Sequence, residues 1–222
     1  HTSTFMILGS ICTRNCRFCN VTTGRPLPPD SKEPENVAEA AKKLGLRHVV
    51  LTCATRDDLP DGGAEQFAQT VMAIHEKCPG TTVETLISDM KMNTEALDVV
   101  LDSRPDVLNH NVEMVRSLQK EVRPQADYER SLRVLRYCKE KKPALLTKTG
   151  FMVGLGETEE EISELMDDIL ETGCDILTIG QYLQPTKDHY PMARYATPED
   201  FKRYKNMALQ KGFQHVASAP LA

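Results

Sequence analysis

The sequence predicts an α/β fold, a partial (β/α)6 TIM-like barrel with mostly parallel strands. Three observations predict it. Short β-branched runs alternate with amphipathic segments in units of roughly 30 residues, the pattern of parallel strands joined by crossover helices. Seven strand signals stand against six clear helical ones. Polar and glycine-rich stretches follow the strand signals, and in such folds chemistry collects on the loops that leave the carboxyl ends of strands.

The elements follow in order. Strands are expected at residues 4–9, 48–53, 82–87, 107–110, 147–153, 176–181 and 215–218. Val37, Ala40, Ala41 and Leu44 mark a helix stopped by Gly45, and Phe67, Val71 and Ile74 mark another. Ile162, Leu165, Met166, Ile169 and Leu170 share one face of a helix over residues 157–172. Thr158 and Glu161 have capping-box spacing, and Gly173 is its stop. No linker, repeat or low-complexity tract interrupts the chain, and the prolines of residues 26–29 read as a short rigid loop. Residues 1–222 are therefore expected to form a single domain. The chain starts at His1 rather than Met and stops at Ala222, so a segment truncated at both ends is expected.

Composition narrows the function. The chain has 222 residues, 40% apolar and 27% charged, with a net charge of −5. That balance argues against nucleic-acid binding, which needs clustered Lys and Arg. The charged stretch 136–142 reads as a solvated helix face. No apolar run reaches the roughly 20 residues of a membrane helix. The apolar start, residues 4–8, is too short for a signal peptide. Seven cysteines, three of them within eight residues, make a poor disulfide framework and a better metal site in a reducing compartment.

Those three are Cys12, Cys16 and Cys19, spaced C-x3-C-x2-C. A compact loop of this spacing can aim three thiolates at one iron–sulfur cluster, for which thiolate is the soft ligand. Three ligands on a [4Fe–4S] cluster leave one iron open, as a reactive centre requires. Zinc is the competing reading, but closed zinc sites want four ligands, commonly in two C-x2-C pairs, and no partner pair exists. Cys53, Cys78, Cys138 and Cys174 lie at no ligand spacing and read as small buried apolar residues on strands or helices.

With Phe18 at the aromatic position, C-x3-C-x-aromatic-C resembles the signature of the radical S-adenosylmethionine (SAM) superfamily. The runs at residues 5–19, 56–63, 110–113, 155–157, 180–185 and 218–221 resemble the lipoyl synthase family in particular. The resemblance covers essentially all of the chain. It implies SAM bound at the open iron, reductive cleavage to methionine and a 5′-deoxyadenosyl radical, and hydrogen abstraction. It further implies a sulfurtransferase of lipoate biosynthesis, inserting sulfur at C6 and C8 of an octanoyl group amide-linked to a lysine of a lipoyl carrier protein. A ferredoxin- or flavodoxin-type electron donor goes with it; the expected location is cytoplasmic, with mitochondrion or plastid as the alternatives, and composition points to no nucleic-acid or membrane partner. The rivals are another hydrogen-abstracting radical SAM enzyme and a non-catalytic iron–sulfur or zinc module.

By the same resemblance Gly62 and Gly63 match the glycine motif that holds the SAM amino group, and Met152 lies in the stretch that packs against adenine. The competing reading of residues 61–63 is a plain turn before a helix. Asn109, Asn111 and Glu113 can hydrogen-bond ribose hydroxyls or the SAM amine, with Asn109 and Glu113 favoured. His110 reads as a structural histidine. Lys148 is either a snorkelling strand lysine or a partner for an anion such as the SAM carboxylate. Gln181 and Tyr182 can touch adenine or substrate, while Arg56, Asp57 and Asp58 pair locally or orient their loop. The family's auxiliary [4Fe–4S] cluster rests on a C-x4-C-x5-C motif and a serine that have no counterpart in these residues. The segment alone is thus expected to bind and cleave SAM without inserting sulfur.

Overall fold

The computed structural model describes all 222 residues, His1–Ala222. They form two compact units, one of residues 1–14 and 21–109, the other of residues 15–20 and 110–222.

The first unit runs β1 (Thr2–Ile7), β2 (Ile11–Cys12), β3 (Thr22–Thr23), α1 (Glu33–Lys43), β4 (His48–Cys53), α2 (Ala64–Lys77), β5 (Thr82–Leu86), α3 (Thr94–Asp102) and β6 (Val107–Asn109). Strands β1, β4, β5 and β6 pair side by side, all parallel. In a parallel register paired residues share a face. Phe5, Leu51, Thr85 and Leu108 therefore lie on one face, and His48, Glu84 and Val107 on the other. Leu51, Val49, Val83 and Leu108 are fully buried, as are Phe67, Val71 and Ile74 of α2. The apolar stripe that marked α2 in the sequence is thus its buried face. The first strand ends two residues before the expected Gly9, because Leu8 and Gly9 both turn left-handed, at φ +67 and +82. The two-residue parallel pair β2–β3 sets Ile11 and Cys12 beside Thr22 and Thr23.

The second unit runs α4 (Gln119–Val122), α5 (Tyr128–Lys141), β7 (Leu146–Val153), α6 (Glu159–Glu171), β8 (Ile176–Gln181), α7 (Pro198–Lys211) and β9 (His215–Ser218). Strands β7, β8 and β9 are parallel neighbours. Their core joins Phe151, Val153, Leu177 and Ile179 of the strands to Ile162, Leu165, Met166 and Ile169 of α6 and Phe201 and Tyr204 of α7. Thr158 and Glu161 form the expected capping box, and Thr197 with Asp200 forms a second on α7. Gly173 stops α6 in the left-handed region, at φ +82. In residues 136–142 Arg136, Glu140, Lys141 and Lys142 are exposed while Cys138 is buried, so the run is a solvated face. No helix is long and apolar enough to cross a membrane.

Candidate functional site

In the first unit the carboxyl ends of four parallel strands open onto the loops that the motifs occupy. Cys12 ends β2, half-buried. Its carbonyl accepts the Gly24 N–H at 3.0 Å, and its Sγ accepts the Arg14 N–H at 3.3 Å. Thr13 binds the Thr55 carbonyl through both its N–H and its hydroxyl, at 3.0 and 2.9 Å, tying the loop to the exit of β4.

Arg14 is the residue that sequence reasoning missed. Its Nε and Nη2 donate to Asp57 at 2.8 and 3.1 Å, and its Nη1 and Nη2 to Asp89 at 2.9 and 2.8 Å. The side chain is 4% exposed and that of Asp89 is fully buried. Burial alone would lower the Arg14 pKa, but hydrogen bonds and charge from Asp89 and Asp57 outweigh it and raise it. Two carboxylates thereby hold the backbone between Cys12 and Cys16. Arg56 is likewise buried and grips Asp58 bidentately, Nε and Nη2 each donating at 3.0 Å, with further bonds to the Leu8 and Leu27 carbonyls. These charges orient the loops, as the sequence reading allowed.

Gly62 and Gly63 sit at φ +63 and +95, and Gly63 caps α2. A Cβ on Gly63 would meet Leu8 Cδ1 at 2.4 Å, and one on Gly62 would meet Met90 at 3.2 Å. The glycines are therefore required both by backbone conformation and by close packing of the chain against its own side chains. Gly62 also lines a cleft with Asp57, Asp58, Pro60 and Lys91.

Asn109 ends β6, buried. Its Nδ2 donates to Glu84 Oε2 at 3.1 Å, which fixes the amide orientation, because a carboxylate can only accept. Its Oδ1 is buried without a partner. A native buried acceptor left unpaired points to a donor that binds there. A hydroxyl or ammonium group of SAM would supply one.

In the second unit Cys16 and Cys19 are half-buried, with Cys19 N–H donating to the Cys16 carbonyl at 3.2 Å. His189 Nε2 lies 3.0 Å from the Cys19 carbonyl. Phe18 packs with Met152, Tyr190 and Met192 onto Met114, Val122, Leu155 and Tyr182. The aromatic position and the adenine-stretch methionine thus share one apolar cluster.

Glu113 takes a left-handed backbone at φ +77, rare for a residue with a Cβ and costing on the order of 1–3 kcal/mol. Its N–H donates to the Gly150 carbonyl at 3.0 Å, and its carbonyl accepts from Met152 at 2.8 Å. Desolvation pushes its carboxyl above the usual range, against the pull of Arg123 and a hydrogen bond from Asn111. His110 is buried on Ser131 at 2.9 Å, the structural histidine expected. Lys148 is half-buried on β7. Gln181 is engaged through both amide atoms: its Nε2 donates to the Tyr182 and Arg194 carbonyls at 3.0 and 2.9 Å, and its Oε1 accepts the Ala196 N–H at 2.9 Å. Tyr182 donates to the Tyr190 carbonyl at 2.6 Å. These two residues fasten the loop after β8.

Of the scattered cysteines, Cys78, Cys138 and Cys174 are buried and Cys53 is half-buried. Two of the four depart from the expected placement on an element, with Cys78 at the cap of α2 and Cys174 in the turn before β8. Burial pushes the thiols of Cys53 and Cys174 up to about 12, the neighbouring Cys12 adding to the first. They are protonated, unlike a metal ligand. Nowhere do three His, Cys, Asp or Glu side chains gather as a single ion would require. Around one zinc, Zn–S bonds of about 2.3 Å would draw three sulfurs to within roughly 4 Å of one another. On a four-iron cluster each thiolate takes a different iron, and three half-buried cysteines supply the soft sulfur donors such a cluster uses.

The chain matches the Radical SAM superfamily over residues 6–169. It is 59% identical over 220 residues to the lipoyl synthase of Rubrobacter xylanophilus, covering 99% of this chain and 68% of that one. The chain belongs to the lipoyl synthase family. The lipoyl synthase of Caldanaerobacter subterraneus subsp. tengcongensis is 58% identical, with 99% of this chain and 77% of that one covered. Among solved structures, Streptococcus suis SuiB matches 97% of this chain and 48% of its own, at TM-score 0.74 and 15% identity. Methylornithine synthase PylB matches 97% and 71%, at TM-score 0.69 and 14% identity. At such identities the likeness concerns the fold, and it bears out the partial TIM-like barrel of mostly parallel strands.

Proposed function

We propose that the chain provides the SAM-cleaving core for sulfur insertion at C6 and C8 of an octanoyl group carried on a lysine of a lipoyl carrier protein. The observation that carries this reading is the C-x3-C-x2-C thiolate triad, in a chain 59% identical to a lipoyl synthase. Cys12, Cys16 and Cys19 would hold a [4Fe–4S] cluster through three of its irons, leaving the fourth for SAM. The chemistry supplied by the bound cluster and SAM is one-electron cleavage that yields a hydrogen-abstracting radical.

The chain's own residues bind and orient. Arg14, locked on Asp57 and Asp89, fixes the loop between the first two cysteines. Gly62 and Gly63 give close backbone approach beside the SAM amino group. The unpaired Asn109 Oδ1 accepts a hydroxyl or ammonium proton, and the Glu113 carboxylate accepts a ribose hydroxyl. Lys148 offers charge to the SAM carboxylate. Met152 and Phe18 form the apolar wall along adenine, and Gln181 shapes that wall by holding the loop after β8. The single radical SAM domain 1–222, a ferredoxin- or flavodoxin-type donor and a cytoplasmic setting belong to the same reading. Solved SuiB has been captured with SAM at TM-score 0.71 to this chain, which supports the same fold accommodating it.

The test is anaerobic reconstitution followed by iron and sulfide analysis, 5′-deoxyadenosine assay and mass spectrometry of an octanoylated carrier peptide. Four irons per chain and deoxyadenosine formation are expected, with both lost in Cys16→Ala. Zinc in place of iron, or SAM left intact by a full cluster, would overturn the proposal.

A further inference from the structure

The strain at Glu113 is held by two side chains that no motif singled out. Gln119 Nε2 donates to the carbonyls on both sides of Glu113, to Val112 at 2.7 Å and to Met114 at 2.9 Å. Arg123 Nη1 donates to the same Val112 carbonyl at 3.1 Å. The Val112 N–H donates to Thr149 Oγ1 at 3.2 Å, and both backbone groups of Glu113 bond to β7. The peptide groups flanking Glu113 are thus gripped from the β7 side and the α4 side together. A left-handed residue with a side chain persists only where its surroundings over-determine it. A plain chain reversal would take glycine here; this one keeps a carboxylate.

The gripping residues share one turn. Gln119 opens α4 and Arg123 caps it, and the Arg123 N–H bonds back to the Gln119 carbonyl at 2.8 Å. Both side chains are buried. The Val122 carbonyl of the same turn accepts the Arg17 N–H at 2.7 Å, and Phe18 packs on the cluster that contains Val122. One turn of helix therefore tethers the backbone between Cys16 and Cys19 and also fixes Glu113. Arg123 Nε is buried without an acceptor.

We propose that Gln119 and Arg123 are positioning residues that lock Glu113 in the pose that meets the SAM ribose, in register with the cysteine loop. This rests on the reading of Glu113 as a SAM contact. Without the clamp, SAM binding must itself force Glu113 into the left-handed region, and affinity falls.

The experiment measures the SAM dissociation constant by equilibrium dialysis on the reconstituted chain, and the thermal midpoint of each variant. Gln119→Leu should weaken SAM roughly tenfold, about 1.4 kcal/mol at 25 °C. Arg123→Met, which leaves the two Gln119 bonds to the carbonyls but removes the Nη1 bond to Gln119 Oε1 at 3.4 Å, should weaken it about threefold. Glu113→Ala should weaken SAM at least tenfold, and neither clamp variant should weaken it further in that background. Glu113→Gly should melt about 2–4 °C above Glu113→Ala, because glycine alone takes this φ freely. If Glu113→Ala binds SAM as tightly as the parent, the SAM-contact reading fails and the clamp with it. If Glu113→Ala weakens SAM but Arg123→Met and any folded Gln119→Leu do not, or their losses add to it, the clamp is overturned and the contact stands. Equal melting of the Gly and Ala variants would also overturn it.

Discussion

Asn109 and Gln181 are both primary amides at the carboxyl ends of parallel strands, both buried, and both legible as cofactor contacts in the sequence. The structure separates them. Asn109 has one bond, to Glu84, and a buried oxygen with nothing to accept. Gln181 has three bonds to the loop of residues 182–196, with both amide hydrogens committed and its oxygen already accepting. Residue type and strand position place both side chains at the carboxyl end of a sheet, but only packing decides which of them keeps unfilled bonding capacity. The cysteines divide less cleanly: the three that follow β1 within eight residues are half-buried, as is Cys53, while Cys78, Cys138 and Cys174 are buried.

The contrast can be broken or sharpened by substitution. The largest effect is expected at Arg14, whose guanidinium is bonded to both Asp57 and Asp89. Arg14→Met strands two carboxylates and should cost about 3–5 kcal/mol in denaturant unfolding. Gln181→Ala comes next, leaving two carbonyls and an N–H without their partner, for about 2–3 kcal/mol. Any fall in SAM affinity of that variant should follow its loss of folded protein. Asn109→Ala should reverse the order, weakening SAM about tenfold while lowering stability by only about 1 kcal/mol. A Gln181 variant that folds normally yet loses SAM would break the comparison.

Smaller effects follow pH. The Glu113 carboxyl is raised in the folded chain. The folded state therefore disfavours its ionised form, and stability attached to the protonated form is lost as pH rises through the carboxylate range. Glu113→Gln should gain stability on the parent at pH 7 and match it near pH 3, read as the difference in unfolding midpoints. Asp200 works in the opposite sense. Backbone hydrogen bonding at Thr197, followed by Arg203, holds it at about 2. Its contribution is present above pH 4 and lost as pH falls toward 2, so Asp200→Asn should flatten the acid limb of the melting profile slightly.

Much of the fold was legible because its signals are local. Strands at 48–53, 176–181 and 215–218 fall where β-branched runs place them, and the Thr158–Glu161 box closes as its spacing requires. The two-residue strands β2 and β3 are too short to carry a period. The cysteine triad was legible because its three residues are close in sequence. Arg14 was not, since its partners lie 43 and 75 residues away and only the fold brings them together. Nor was the Glu113 backbone, because nothing in Asn-Val-Glu distinguishes a left-handed glutamate from an extended one. The unpaired Asn109 oxygen is likewise a fact of packing, invisible until Glu84 is set beside it.

The most direct measurement is electron paramagnetic resonance of the reduced, anaerobically reconstituted chain, recorded with and without SAM. A [4Fe–4S] signal whose g-values shift when SAM is added is the expected result, and it should vanish in Cys12→Ala. A cluster signal indifferent to SAM, or a chain that takes up zinc and no iron, would contradict the open iron on which the site depends.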